Sequence, residues 1–298
     1  MSIRSIVVAT LAGFALAACT PAPDPAVQAG TASAGHSADA GCMDERCFLL
    51  TTERSTPAQK EAARGLILAE FARLGIAAEV RPYDAADYGI KSRAGTEGAN
   101  VVGVLPATMS THGVTERHIV LGAHYDTVPG SPGVDDNGSG VQILFAVARH
   151  LAAMPERTAT VHFVLFDQEE VGLVGAGVNA ERWRQGQVPL ESMHNIDMIG
   201  WDTDGDGVIE FDSNSPEITA LYQEMAADLP VSLLVTTYPN TDHQPYRARG
   251  FTVASISEEF EDGSQNPAYH KPTDTAVQPG YFGASMQLMI RVFERLVS

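Results

Sequence analysis

His124 and Asp126 stand two apart at the end of the apolar run HIVLGAHYD, so on an extended chain both side chains project to one side. One can bind a metal while the other orients it, because a ligating imidazole gives its second N–H to a carboxylate or carbonyl that fixes the tautomer. Asp126 is placed for that supporting role. The segment GVDDNGSG sets two adjacent carboxylates, Asp135 and Asp136, in a glycine-rich turn before an apolar helix, a position where helix capping alone would also account for them. After the strand-like TVHFVLF come Glu169 and Glu170, and two acids beyond so apolar a run are costly to bury unless paired or bound to a metal. Consecutive residues on an extended chain face opposite ways, so Glu170 reads as a ligand and Glu169 as a general base facing a water. Asp197 in HNIDMIGW and His270 in AYHKPTDT complete a set of two imidazoles and three carboxylates. That set suffices for two zinc ions if one carboxylate bridges, which is chemistry suited to hydrolysing an unactivated amide.

The elements that carry these residues alternate. Helical spacing in TPAQKEAARGLILAEFARLG (Leu66, Ile67, Phe71, Leu74) is followed by extended runs at AAEVRPY, ANVVGVLPA and HIVLGAHYD. A helix in GSGVQILFAVARHLAAM leads to the strand TATVHFVLFD, a helix GAGVNAERWRQG and the strand MHNIDMIGW. Helix SPEITALYQEMAADL, strands VSLLVTT and TVASISE and a closing helix within PGYFGASMQLMIRVFERLV complete the chain. This alternation predicts one α/β domain, a mostly parallel twisted sheet with helices on both faces. Ligands of such sheets collect at the carboxyl ends of the strands. Four predicted strands end there in candidate groups: His124 with Asp126, Glu169 with Glu170, Asp197, and Glu258 with Glu259.

Acidic residues outnumber basic ones by 37 to 19 in the 298 residues, and no Lys/Arg stripe occurs, which argues against a nucleic-acid partner. MSIRSIVVATLAGFALAAC has the plan of a secretory signal, one Arg before a short apolar run, too short to span a membrane. Its end, Leu16-Ala17-Ala18-Cys19, resembles the lipobox of bacterial lipoproteins, making residues 1–18 a signal and Cys19 a lipidation point. Residues 19–41 are a Pro/Ala/Gly/Ser tether with too little apolar surface to fold, and 42–298 form the catalytic domain. The expected location is the outer membrane or periplasm, with membrane contact only through the lipid. In that oxidising setting Cys42 and Cys47 are expected to form a local disulfide, since no His or second Cys pair stands nearby to build a zinc clamp.

The ordered set AHYD, GVDDNGSG, FDQEEVGLVGA, NIDMIGW and YHKPTDT resembles the co-catalytic di-zinc aminopeptidases of the secreted bacterial leucyl type and aminopeptidase Y, over about residues 95–298. The resemblance implies that Asp135 bridges two zinc ions, that His124 and Asp197 complete one site and Glu170 and His270 the other. It also implies that Glu169 is the base acting on a water between the metals, with Asp126 behind the His ligand. The substrates it implies are peptides with a free N-terminus; nothing in the sequence demands a partner subunit, so a monomer is expected. Oxygen and nitrogen donors discriminate poorly among first-row ions, so zinc rests on the resemblance. Two relatives offer other readings: a glutaminyl cyclase with a single zinc, and a non-catalytic binding lipoprotein of the same fold. A carboxypeptidase or deacylase would need a cation for a carboxylate; Arg247 and Arg249 are available but read as helix surface. Finally, Asp202, Asp204 and Asp206 before Gly207 have the spacing of a calcium loop, although position twelve is Ser213 rather than Glu, which leaves an acidic hairpin turn as the other reading.

Overall fold

The computed structural model describes residues 47–109, 116–186, 188–260 and 264–298. Cys19, the tether and Cys42, with its expected pairing to Cys47, lie outside them. The helices are α1 (Pro57–Arg73), α2 (Gly138–Ala153), α3 (Val174–Gln185), α4 (Pro216–Ala226), the one-turn α5 (Gln244–Arg247) and α6 (Pro279–Val297). The strands are β1 (Ala77–Asp84), β2 (Glu97–Leu105), β3 (Arg117–His124), β4 (Ala159–Phe166), β5 (Leu190–Ile196), β6 (Val208–Ser213), β7 (Ser232–Val235) and β8 (Val253–Glu258).

All eight join one sheet in the order β1-β2-β4-β3-β5-β8-β6-β7. The centre, β4-β3-β5-β8, is parallel, as is the edge pair β6-β7. Antiparallel pairings join β1 to β2, β2 to β4 and β6 to β8. Because β3, β4, β5 and β8 run the same way, the residues that end them meet at one edge. Each central strand is buried on both faces, with a period of two. Ile119, Leu121 and Ala123 of β3 and Val161, Phe163 and Leu165 of β4 enter the larger core, packed under α1, α2, α4 and α6. Val120, Val164 and Phe166 enter the smaller core under α3 and α5.

Local chemistry sets the element ends. Thr56 and Gln59 form a reciprocal capping box at the start of α1, with Pro57 in its first turn. The inward stripe of α1 is Ala63, Ile67, Glu70 and Phe71, whereas Leu66, expected on that stripe, is 46% exposed. Asn137 caps α2, its Oδ1 accepting the Gly140 N–H at 3.0 Å and the Met198 N–H at 3.2 Å while its Nδ2 donates to the Ile196 carbonyl at 2.9 Å. One side chain therefore ties the start of α2 to the end of β5. The 202–207 segment is not a hairpin: it joins β5 to β6, and β8 lies between those strands.

His194 of β5 is fully buried, with Nδ1 at 2.9 Å from the Tyr222 hydroxyl and Nε2 at 2.9 Å from Ser192 Oγ. Burial pushes its pKa down to about 3. An unfolded chain takes up this proton near pH ~6.5, so the folded state is favoured above that pH and loses stability as pH falls towards 3, at about 1.4 kcal/mol per unit. We expect His194→Gln to flatten the loss of urea stability between pH 7 and pH 5 by about 2 kcal/mol in metal-free protein. An unchanged slope would contradict this.

Candidate metal centre

β3 ends at His124 and β5 at Ile196, one residue before Asp197. Their side chains meet: His124 Nε2 lies 3.2 Å from Asp197 Oδ1 and 3.2 Å from Asp136 Oδ1. The other oxygen of Asp136, Oδ2, lies 3.1 Å from His270 Nε2, which is in turn 3.1 Å from Glu170 Oε2. Two triads result, His124–Asp136–Asp197 and Asp136–Glu170–His270, each with donor atoms within 4.8 Å of one another. They share the Asp136 carboxylate, one oxygen to each.

The acid of the pair at the centre is thus Asp136, not Asp135 as expected. Asp135 faces away from the cluster: its Oδ1 accepts the Gly200 N–H at 2.8 Å, its Oδ2 accepts from Asn266 Nδ2 at 2.7 Å, and its carboxyl is hydrogen-bonded to that of Glu258. Gly200 is required for this approach, since a Cβ there would lie 2.5 Å from Asp135 Oδ1. Glu258 also accepts the N–H groups of Trp201 (2.9 Å) and Asn266 (3.1 Å), so it locks loops rather than joining either triad. The turn is held from below by Asp274, whose two oxygens accept the Asp135 and Asp136 N–H groups at 2.9 and 3.1 Å. Arg54, fully buried, donates to the carbonyls of Tyr125, Pro132 and Gly133.

Glu169 and Glu170 sit in a turn, not on the extended chain that their expected division of labour assumed. β4 stops at Phe166, Gln168 takes a positive φ of 61°, and the Gly172 and Leu173 N–H groups fold back on the Glu169 carbonyl at 2.9 Å. Both carboxylates consequently reach the same cluster with His124. Asp126 supports two neighbours. Its carbonyl lies 3.2 Å from His124 Nδ1, with the carboxylate Oδ1 farther at 3.6 Å, and that Oδ1 accepts the Glu169 N–H at 3.1 Å. The nearer carbonyl is the better acceptor for the imidazole. His270, at a positive φ of 58°, stacks on Tyr269 with ring centroids 3.8 Å apart.

The electrostatics are those of a site built for cations. Burial raises the pKa of Glu169 well above the carboxylate range, and burial with the nearby Asp136 charge pushes Glu170 to about 7. Against its own burial, Asp136 is held well below the usual range by hydrogen bonds from His124 and His270. His270, which burial alone would lower, is lifted to about 10 by Asp136 and Glu170. Protons thus hold together a group of carboxylates that outnumbers its imidazoles, work that divalent cations can take over. Glu170 Oε1 is buried without a hydrogen-bond partner, a further opening for a ligand bond. The donor set of imidazole nitrogens and carboxylate oxygens fits zinc and other first-row dications.

Sequence reasoning missed Asp242. Both of its oxygens are buried with no hydrogen-bond partner, and burial, together with the nearby Asp197, Asp126 and Glu170 charges, raises its pKa well above the usual range. In the segment TDHQPY a lone Asp carries no spacing signal. Arg247 and Arg249 are occupied elsewhere, by Asp212 and Glu181. Glu259 stands outside the cluster, its pKa raised by burial and by the charges of Asp206, Asp204 and Glu210. The carboxylates of Asp202, Asp204 and Asp206 do converge, but they also close their own loop, Asp202 accepting the Gly205 and Gly207 N–H groups at 2.8 and 3.0 Å.

Over the two triads opens a cavity of about 330 Å³, its polar floor including His124, Asp136, Glu169 and Asp197 and its walls Tyr238 and Tyr269. Aminopeptidase YwaD of Bacillus subtilis is 29% identical over 163 residues, 53% of this chain and 36% of that protein. Two other curated relatives are matched over 49% of their length, so the chain spans half or less of these proteins. A zinc aminopeptidase structure from Bacillus subtilis superposes with a TM-score of 0.62 at 23% identity, covering 69% of this chain and 51% of that one. Glutaminyl cyclase of Porphyromonas gingivalis superposes with a TM-score of 0.66 at 19% identity, covering 83% of this chain and 94% of that one. The family model described as peptidase family M28 matches residues 100–292, and since that is well over half of the sequence, the chain belongs to peptidase family M28.

Proposed function

We propose that the protein is a metallo-aminopeptidase that removes N-terminal residues from peptides with two zinc ions, one in each triad. The observation that carries this reading is the Asp136 carboxylate, 3.2 Å from His124 through one oxygen and 3.1 Å from His270 through the other. His124 and Asp197 would hold one ion, Glu170 and His270 the other, with Asp136 between them. When bound, the pair would polarise the scissile carbonyl and make water acidic enough to attack near neutral pH.

The chain's own groups supply the rest. Glu169, facing the cavity, accepts the proton of the attacking water as a carboxylate and delivers it to the leaving amine. Asp126 fixes it through the backbone N–H that it accepts. The acidic floor suits a free α-ammonium group. Met198, Tyr238, Phe260 and Tyr269 line the cavity with apolar surface, so an apolar first side chain is expected. The signal-like N-terminus supports export, with anchoring through Cys19; labelling of the wild type by a lipid precursor, lost in Cys19→Ala, checks that part. Calcium at the 202–207 loop would show as an EGTA-reversible rise in Tm.

The test of the activity is hydrolysis of a panel of aminoacyl anilides beside their N-acetylated forms. We expect turnover of leucyl and phenylalanyl anilides and none of the acetylated controls. Cyclisation of glutaminyl peptides by a one-zinc protein that leaves the anilides intact would instead establish the cyclase reading.

A further inference from the structure

A second pair of imidazoles lies on the sheet face that carries α3, about 13 Å (His162) to about 20 Å (His118) from the catalytic edge at the rise of an extended strand. His118 is the second residue of β3 and His162 stands in the middle of β4. In the parallel register His118 pairs with Thr160 and Val120 with His162, which makes the two histidines diagonal neighbours on one face. Their rings face each other, with His118 Nδ1 3.0 Å from His162 Nε2. We propose that His118 and His162 form a second metal site, apart from the catalytic centre, that takes one borderline dication such as Cu2+ or Zn2+ through these two nitrogens, with water completing its shell.

Geometry, access and charge support the site. The separation matches two ligands of one ion: with metal–nitrogen bonds of about 2.0–2.1 Å, adjacent nitrogens stand about 2.9 Å apart in a square plane and about 3.3 Å in a tetrahedron. Both rings line a cavity of about 270 Å³ that is open to solvent, so an ion can enter and keep its waters. Burial, followed by the charges of His118 and Arg81, lowers the pKa of His162 to about 4, which leaves its imidazole neutral and able to ligate at neutral pH. Trp183 meets the His162 ring edge-on with centroids 5.0 Å apart and lies 6.1 Å from His118, which fixes both planes. The cations that share the cavity are engaged: Arg81 pairs with Glu79 at 2.7 Å, and Arg182 donates to the Tyr88 hydroxyl and the Pro82 carbonyl, each at 2.9 Å. Glu116, 3.9 Å from His118 Nε2, offers compensating negative charge. An ion here would pin β3 to β4 in the folded state alone and so raise Tm.

The experiment uses the full chain dialysed against zinc and then titrated with Cu2+, following bound copper, Tm and tryptophan fluorescence in the wild type, His118→Ala, His162→Gln and Trp183→Phe. We expect the wild type to bind one more copper per chain than either histidine variant. We also expect at least tenfold quenching of the Trp183 emission component, absent in Trp183→Phe, while both histidine variants keep wild-type anilide hydrolysis as evidence of an intact fold. Equal copper uptake in the wild type and both histidine variants would overturn the proposal, as would quenching that survives in both; the imidazole contact is then a hydrogen bond and nothing more. If one histidine variant fails to fold, the other decides by the same criteria.

Discussion

Asp136→Asn is expected to cost on the order of a thousandfold in activity or more, and Asp135→Asn no more than about tenfold. Asp136 is the one residue common to both triads, so its replacement removes a charged ligand from each ion at once. Metal polarisation is worth several kcal/mol of barrier, which corresponds to a loss on the order of a thousandfold in kcat/KM or more. Metal content should fall from two per chain to one or none. Asp135, turned towards Gly200, Asn266 and Glu258, contributes to loop packing instead. Its amide variant leaves an Asn266 donor facing another donor, costing about 1–3 kcal/mol of stability, with metal content unchanged and activity within about tenfold of wild type. Kinetics, metal analysis and melting curves of the two variants side by side decide the assignment. The opposite pattern would restore Asp135 as the bridge.

The second large effect is expected from Glu169→Gln. The amide keeps the shape and the hydrogen-bonded turn but cannot accept a proton, so kcat should drop about 10²–10⁴-fold with KM little changed. Two metals per chain should remain, because Glu169 belongs to neither of the two triads that share Asp136. Loss of metal together with activity would instead make Glu169 a ligand. Steady-state kinetics with metal content measured on the same sample separate these outcomes.

Much of this arrangement can be read from the sequence. The runs HIVLGAHYD, TVHFVLF, HNID and TVASISE are short, apolar and β-branched, and each proves to be a central strand whose end carries a polar group to the same edge. Helices on both faces follow from the same alternation, and His124, Glu170, Asp197 and His270 do come together. Legibility failed where the chain is irregular. Asp135 and Asp136 differ by one position in a glycine-rich turn, which has no periodicity to say which side chain faces in; only the contacts of Gly200, Asn266 and Asp274 settle it. Strand alternation would part Glu169 from Glu170, yet the strand ends three residues before Glu169 and a turn presents both. Asp242 escaped notice because burial without a partner is a property of packing. The antiparallel margins, where β2 leans on β4 and β6 on β8, depend on sheet order, which local pattern does not encode.

Two dications sharing the Asp136 carboxylate would be visible directly in a crystal. Anomalous diffraction at the zinc edge from crystals grown with zinc should give two peaks about 3.5–4 Å apart, one beside His124 and Asp197 and the other beside Glu170 and His270, with Asp136 between them. A single peak at full zinc loading, or two peaks flanking any other carboxylate, would contradict that sharing.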